Sequence, residues 1–494
     1  MANSHPESTE VAGPRRRPEK ARSSLPEGAK ARRLLAAGLL LLAFVATRAG
    51  GVWLAGHPEH YRGGLTTTVT YDPTLYENWA NQVYRDGRAA YGDVKIEYPP
   101  GSLPFMILPM VKAAGHAYLP RFIALMLAVD VVGMAGLVVI ARRARSWWGP
   151  WAWTLLIPML GPIAYNRLDM VPAVAIIWSL ERAQARGWFG AGGWLGLGAV
   201  AKIYPGVLVP LLLAARWRWR WRILAGAVSV AVLGVLPVGG SLPGLWHSVV
   251  GYHTQRGLQI ESTWGIALLA TGHLGHSVQA VFDHGSWNTA GSGASMLKSA
   301  SVVASITVLA AGIWLAAKRV AQGPSGPLSG VAQGPSGPLS GVAQGPSGPL
   351  SGVAQGPSGP LNGVTDSMAG LAVVMFATLA LVFAVGTVFS PQFRILLSAL
   401  GAVSASVAGR QVRVPLVLLG VANVLSQIAY PFHYDGLLAN HALPVATVAL
   451  RNALVLLTGL TLFVKLWQGR FAEPEVMATS PEPVAAGAEA AAGA

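Results

Sequence analysis

The 494-residue chain contains no cysteine, which excludes disulfides, thiolate catalysis and cysteine-ligated metal centres. Charge is also scarce. Asp, Glu, Lys and Arg make up 12% of the residues, about half the share found in a soluble domain. Hydrophobic residues fill 52% of the chain and its mean hydropathy is +0.46. Apolar windows of about 17–25 residues recur, each long enough to cross a hydrocarbon core of about 30 Å. The composition is that of a polytopic membrane protein, and the expected fold is an all-α transmembrane helical bundle.

The net charge of +15 does not point to a nucleic-acid partner. The basic residues gather at the ends of apolar runs, in RRRPEKARSS, ARRAR, RWRWRWR and AAKR. Such clusters mark cytoplasmic loops and set topology, so membrane lipids are the expected contact. In RWRWRWR (216–222) cations and indoles alternate just past an apolar segment, as in an interfacial anchor.

The chain reads as five parts. Residues 1–32 form a basic, disordered cytoplasmic tail, and 33–318 form a transmembrane module. A flexible Gly/Pro linker covers 319–364, further transmembrane helices cover 365–468, and 469–494 is a second disordered tail. The first span, near 33–56, leads into a long extracytoplasmic loop, 57–100. Further spans are expected near 101–117, 121–141, 149–165, 169–181, 190–215, 222–240, 263–281, 298–317, 367–389, 394–409, 412–430 and 443–466, about 11–13 in all. The segment 190–215 carries AKIYPG in its middle, where Pro and Gly allow two short helices to meet. The orientation of 101–117 conflicts with ARRAR: if it spans, those arginines face outward. The linker repeats VAQGPSGPLSG at 320, 331, 342 and, with Asn362 for the last Ser, 353. Two prolines and three glycines per unit exclude a helix, and the single Leu and Val cannot build a core.

Acids are few and unevenly placed. Of 21 carboxylates, six (Glu59, Asp72, Glu77, Asp86, Asp93 and Glu97) fall within 59–97. Tyr71, Tyr76, Trp79, Tyr84, Tyr91 and Tyr98 lie among them. Ring faces stack on sugars and carboxylates accept bonds from their hydroxyls, although aromatics also form membrane-interface belts. After YDP, Pro73 is expected in the first turn of a short amphipathic helix with Asp72 as its N-cap. Tyr76, Trp79, Ala80 and Val83 then share one face. A carboxylate held there is placed to accept a proton from an acceptor hydroxyl, and a plain capping role is the alternative.

The stretch YDPTLYENWANQVYRDGRAAYGDVKIEYPPG (71–101) resembles the first extracytoplasmic loop of GT-C-type membrane glycosyltransferases. YNRLDMVPA (165–173), GAVAKIYPGVLVPLLL (198–213) and SPQFRILL (390–397) follow in the expected order. Together they are most similar to glycosyltransferase family 87, the polyprenyl-phosphate-mannose-dependent mannosyltransferases. The resemblance implies a GT-C-like bundle whose first loop contains short amphipathic helices. It also implies an inverting transfer of a sugar, mannose above all, from a polyprenyl-phosphate donor to a lipid or glycan hydroxyl outside the plasma membrane. No cofactor is implied beyond that co-substrate, and no metal ligands are expected.

Carried over, the family's catalytic acid falls on Asp72, with Tyr76 four residues on; Pro73 stands where family members more often carry an aliphatic residue. Asp93 and Glu97 are the fallback acids, and Glu97 and Tyr98 lie beside the double proline as candidates to bind substrate. Cations inside or beside a membrane are costly unless used, which singles out Arg167, Lys202 and Arg394 as partners for a lipid phosphate. In the loop 246–263, His253 and Arg256 are three apart, the spacing of one helix face, with Glu261 nearby. A transporter or flippase, and a non-catalytic lipid-binding membrane protein, are the alternative classes.

Overall fold

The computed structural model describes residues 27–60, 66–111, 118–236, 242–320 and 362–469. Most of both predicted tails and of the repeat tract lies outside them. The helical, multi-pass architecture expected from composition is the one observed, all-α but for one short hairpin. Six stretches among the described residues are long and apolar enough to cross a membrane.

The chain begins with α1 (Glu27–Gly56), which starts six residues before the expected span. It continues through α2 (Thr66–Ala80), α3 (Leu103–Ile107), α4 (Tyr118–Ala144), α5 (Trp148–Leu156), α6 (Ile163–Asn166) and α7 (Met170–Gln184). Next come α8 (Trp188–Ala201), α9 (Leu208–Ala215), α10 (Arg220–Val235), α11 (Leu242–Trp246), α12 (Tyr252–Gln255) and α13 (Thr263–Gly272). An antiparallel hairpin, β1 (Val278–Asp283) and β2 (Ser286–Gly291), precedes α14 (Ala294–Leu315). Beyond the repeat tract lie α15 (Asn362–Val385), α16 (Phe393–Ala408), α17 (Arg413–Gln427), α18 (Tyr434–Leu438) and α19 (Ala442–Trp467).

Several expected spans are interrupted, each for a local reason. Residues 100–111 form only short turns around α3, because Pro100, Pro104 and Pro109 each remove a helix donor. The described part of 101–117 is therefore no spanning helix. The single helix α4 then separates the loop before it from Arg142, Arg143 and Arg145 at its far end, which removes the conflict over those arginines. The stretch 149–165 breaks between α5 and α6 at Pro158, Gly161 and Pro162; Gly161 has φ +58°. The apolar run 263–281 is not one helix. It ends as α13 at Gly272 and re-forms as the hairpin, whose two-residue turn places His284 at φ +47° and Gly285 at φ +62°. Positive φ at both positions is the twist-matched hairpin turn. AKIYPG breaks α8 from α9 as its Pro and Gly predict, with Lys202 extended at the junction.

Small residues set the closest helix contact. The helices α8 and α10 run parallel, and a Cβ on Gly192 would stand 2.0 Å from the Ile223 carbonyl oxygen. One on Gly226 would stand 2.0 Å from that of Phe189, and one on Gly196 2.6 Å from that of Ala227. In a membrane, where apolar surface gains little by leaving lipid, such backbone approach supplies the packing. A buried polar knot joins α1, α4, α5 and α6. Arg48 Nε lies 2.9 Å from Asp130 Oδ2 and its Nη1 donates to the Thr154 carbonyl at 2.9 Å. Trp153 Nε1 and the Tyr165 hydroxyl donate to the same carboxylate at 2.6 and 2.8 Å. Both charges are paired and their remaining valences filled, the condition for keeping an ion pair out of water.

Candidate active site

Helix α2 starts at Thr66, so Asp72 and Pro73 lie inside it rather than at its beginning. Asp72 is thus not an N-cap. Its carboxylate is fixed by tertiary partners: Arg167 Nη1 forms an ion pair with Oδ2, and the Tyr76 hydroxyl donates to the same oxygen at 3.3 Å. The face read from the sequence is the one that packs. Tyr76, Trp79 and Ala80 are buried and Val83 is partly so. Tyr76 and Trp79 lie against the Tyr98 ring at 5.5 and 6.0 Å between centroids, and the Tyr76 and Tyr98 hydroxyls are 3.0 Å apart.

The double proline explains how the loop reaches the bundle. Pro99 is extended and Pro100 opens a short turn. This brings Gly101 so close to the end of α8 that a Cβ would meet Val200 Cγ2 at 2.6 Å and its carbonyl oxygen at 2.8 Å. Tyr98 is thereby set beside Lys202, whose Nζ stands 5.2 Å from the ring centroid. In YNRLD the two charges face different partners. Arg167 is extended after α6 and reaches Asp72 and, through Nη2, the Tyr430 hydroxyl at 3.3 Å. Asp169 turns the other way and accepts from Lys202 Nζ at 2.7 Å. No ion pair joins Arg167 to Asp169 themselves.

These groups open onto one cavity of about 570 Å3. Asp72, Glu97, Tyr98, Arg167, Lys202, Arg256 and Glu261 all line it. Tyr76 stands behind Asp72 and is fully buried. Asp93 does not line the cavity; its carboxylate accepts from the Ala89 amide at 3.0 Å within an exposed turn. Arg394 does not line it either. It is fully buried beneath the wall, 5.9 Å from the Phe389 ring. The side chain of His253 lies outside the described residues. The expected helix face shared by His253 and Arg256 does not form, because α12 ends at Gln255 and Arg256 is extended. Arg256 instead donates through Nε to the Ser286 hydroxyl at 2.7 Å, tying the hairpin to the cavity rim.

Glu97 is mostly out of water in this rim. Burial pushes its carboxyl above the usual 4.5, while the Tyr252 hydroxyl and the Arg256 charge pull it back down. Glu261 occupies the floor. Its backbone carbonyl accepts from Arg451 Nη2 at 2.7 Å and Asn452 Nδ2 at 3.0 Å, and its carboxylate faces Arg451 Nη1 at 3.4 Å. Gln259 braces the same floor, donating to Ser390 Oγ at 2.6 Å and accepting from the Phe389 amide at 2.7 Å. One wall is apolar. Ile203, Val302, Ile306, Val382, Phe383 and Val388 line it, and Val302 and Ile306 of α14 are exposed.

Three contributors escaped the sequence reading: Tyr430, Tyr434 and Arg451. Arg451 carried the same signal that exposed Lys202, a lone cation inside an apolar run. The tyrosines carried none, since α17 and α18 approach Arg167 only through tertiary folding.

A cavity that faces carboxylates toward cations beside an apolar wall can hold a phosphate ester with a long hydrocarbon chain and take a proton from a hydroxyl. The family model described as glycosyltransferase family 87 matches residues 97–331. That range contains Glu97, Tyr98, Arg167, Lys202, Arg256 and Glu261, while Asp72 precedes it and Tyr430 follows it. No curated protein matches the chain by sequence. Among solved structures, ArnT from Cupriavidus metallidurans bound to undecaprenyl phosphate superposes with a TM-score of 0.39 at 16% identity, over 88% of this chain and 78% of that one. The apo form of the same protein gives 0.37 at 14%, over 90% and 78%. Through residues 97–331, within a membrane-spanning bundle, the chain is similar to glycosyltransferase family 87.

Proposed function

We propose that the chain transfers a sugar, mannose by resemblance to family 87, from a polyprenyl-phosphate donor to a hydroxyl of a lipid or glycan acceptor at the extracytoplasmic face. The observation that carries this reading is the single cavity in which Asp72 and Glu97 face Arg167, Lys202 and Arg256 beside the apolar wall of α14 and α15. The polyprenyl chain lies along that wall and its phosphate among the cations. Asp72 accepts the acceptor's hydroxyl proton as that oxygen bonds to the anomeric carbon from the face opposite the phosphate. The bond from that carbon to the phosphate oxygen breaks, and the configuration inverts, as when a base activates water in inverting hydrolases. The leaving polyprenyl phosphate carries its charge away against the guanidinium and ammonium groups, which are fixed before the charge develops. Glu97, Tyr98 and the hairpin rim hold the acceptor.

The test uses membranes containing the full chain and polyprenyl-phosphate-[14C]mannose. Label moving into an acceptor, with release of polyprenyl phosphate, is expected. Donor that crosses the bilayer chemically unchanged would make the protein a transporter, and donor bound but neither moved nor consumed would make it a binding protein.

A further inference from the structure

The turn from α9 into α10, residues 216–222, has no part in the cavity, and its chemistry is of another kind. Arg216, Arg218, Arg220 and Arg222 alternate with Trp217, Trp219 and Trp221. The backbone makes a tight turn over Trp217–Trp219 before α10 starts at Arg220. Residues three apart therefore stand over one another. Arg220 lies 4.6 Å from the Trp217 ring centroid and Arg222 5.0 Å from that of Trp219. Arg218 adds a contact to Trp219 at 5.7 Å and Arg220 one to Trp221 at 5.2 Å. Behind them Trp188 stacks on Trp219 at 6.4 Å, and Arg216 lies 5.7 Å from Trp188.

A guanidinium stacked on an indole uses its face and keeps its N–H rim for other partners. Among the described residues no carboxylate is ion-paired to Arg218, Arg220 or Arg222. The acid near this end, Glu181, is taken by Arg143 and Arg182. The parallel helices α8 and α10 both start here, and Lys202 follows the far end of α8, so the turn and the cavity lie at opposite ends of α8. Trp217 and Trp221 are 63% and 69% exposed. Two bare indoles at the end of apolar helices are unfavourable in water and favourable at headgroup depth.

We infer that the Arg216–Arg222 turn is a binding site for anionic phospholipids, with the guanidinium rims on the headgroup phosphate and the outer indoles between the acyl chains' glycerol ends. The indoles are what favour a lipid over a soluble phosphate, which would gain nothing from them. Each cation near an anionic surface contributes roughly a fivefold preference, so removing three lowers it by about a hundredfold.

The experiment uses the full chain purified in a mild detergent, with lipid retention read by native mass spectrometry. Phosphatidylglycerol and phosphatidylcholine are added in turn, to wild type and to R218Q/R220Q/R222Q. The expected result is preferential retention of phosphatidylglycerol by the wild type, abolished in the triple variant and kept in part by R218K/R220K/R222K. Equal retention of both lipids by the wild type overturns the inference, as does an undiminished preference in the triple variant. Displacement of phosphatidylglycerol by millimolar inorganic phosphate overturns it in favour of a soluble anion site. Should the triple variant not fold, the exposed Arg218→Gln alone is read the same way, with a severalfold loss expected.

Discussion

Replacing Asp72 by Asn separates its proposed role as base from everything else the residue does. The amide keeps the shape of the carboxylate, so the Tyr76 hydroxyl still finds an oxygen to donate to, and the packing of Tyr76 and Trp79 on Tyr98 is untouched. Arg167 loses its counter-charge but keeps Tyr430. A positioned general base supplies about 10²–10⁴ in rate, or roughly 3–5.5 kcal/mol of transition-state stabilisation. Because a donor phosphate competes with Asp72 for Arg167, donor KM is expected to stay level or fall while kcat drops by that factor. Arg167→Gln raises donor KM and also lowers kcat, since that guanidinium both holds the donor phosphate and faces its charge as it leaves, while Asp72 keeps the Tyr76 hydroxyl. Asp93→Asn, off the cavity wall, leaves both constants unchanged. Initial rates of label transfer from polyprenyl-phosphate-mannose over a range of donor concentrations measure all three. Asp72→Asn within threefold of wild-type kcat, or Asp93→Asn equally impaired, would refute the assignment.

Other parts of the structure yield equally direct tests. Burial holds the Glu97 carboxyl above its ordinary value, so between 4.5 and its folded pKa the native state binds the extra proton and stability falls as pH rises. Glu97→Gln therefore stabilises the fold at neutral pH, an advantage lost below about pH 4.5, while raising acceptor KM; thermal melts at several pH values and acceptor titrations check both. Asp130→Asn leaves Arg48 as an uncompensated buried charge and should cost about 3–5 kcal/mol, read as a fall in melting temperature in detergent; an unchanged melt contradicts it. In Gly226→Ala the new methyl meets the Phe189 carbonyl and forces α8 from α10, for about 1–3 kcal/mol, and the same melt measures it.

What the sequence revealed follows from how local each signal is. Spans such as α4, α14 and α19 were legible because about 20 apolar residues have one use. The α8–α9 break was legible because Lys202, Pro205 and Gly206 each object to a continuous apolar helix. The hairpin was not, since its apolar residues read equally as helix until the His284–Gly285 turn is recognised as a two-residue connection. The cap expected at Asp72 does not form. The Asp-Pro pair suggested a cap, whereas α2 begins earlier and Pro73 is carried inside it. Besides Asp72, the sequence-named Glu97, Tyr98, Arg167, Lys202, Arg256 and Glu261 line the cavity and Tyr76 stands behind it. Tyr430 and Arg451 meet the site across more than 180 residues of chain, a distance that no local pattern encodes.

Arg167 touches Asp72 on one side and Tyr430 on the other, and these two partners belong to opposite sides of the repeat tract. The apolar wall is divided in the same way, between α14 before the tract and α15 after it. Neither portion of the polypeptide alone encloses a cavity, but α14 and α15 pack directly on each other, so the covalent link is not what aligns them. A gene split within the repeats would then encode two membrane fragments that recover one cavity only by meeting in the same bilayer. The number of repeat units becomes a quantity that can drift from copy to copy without entering the chemistry.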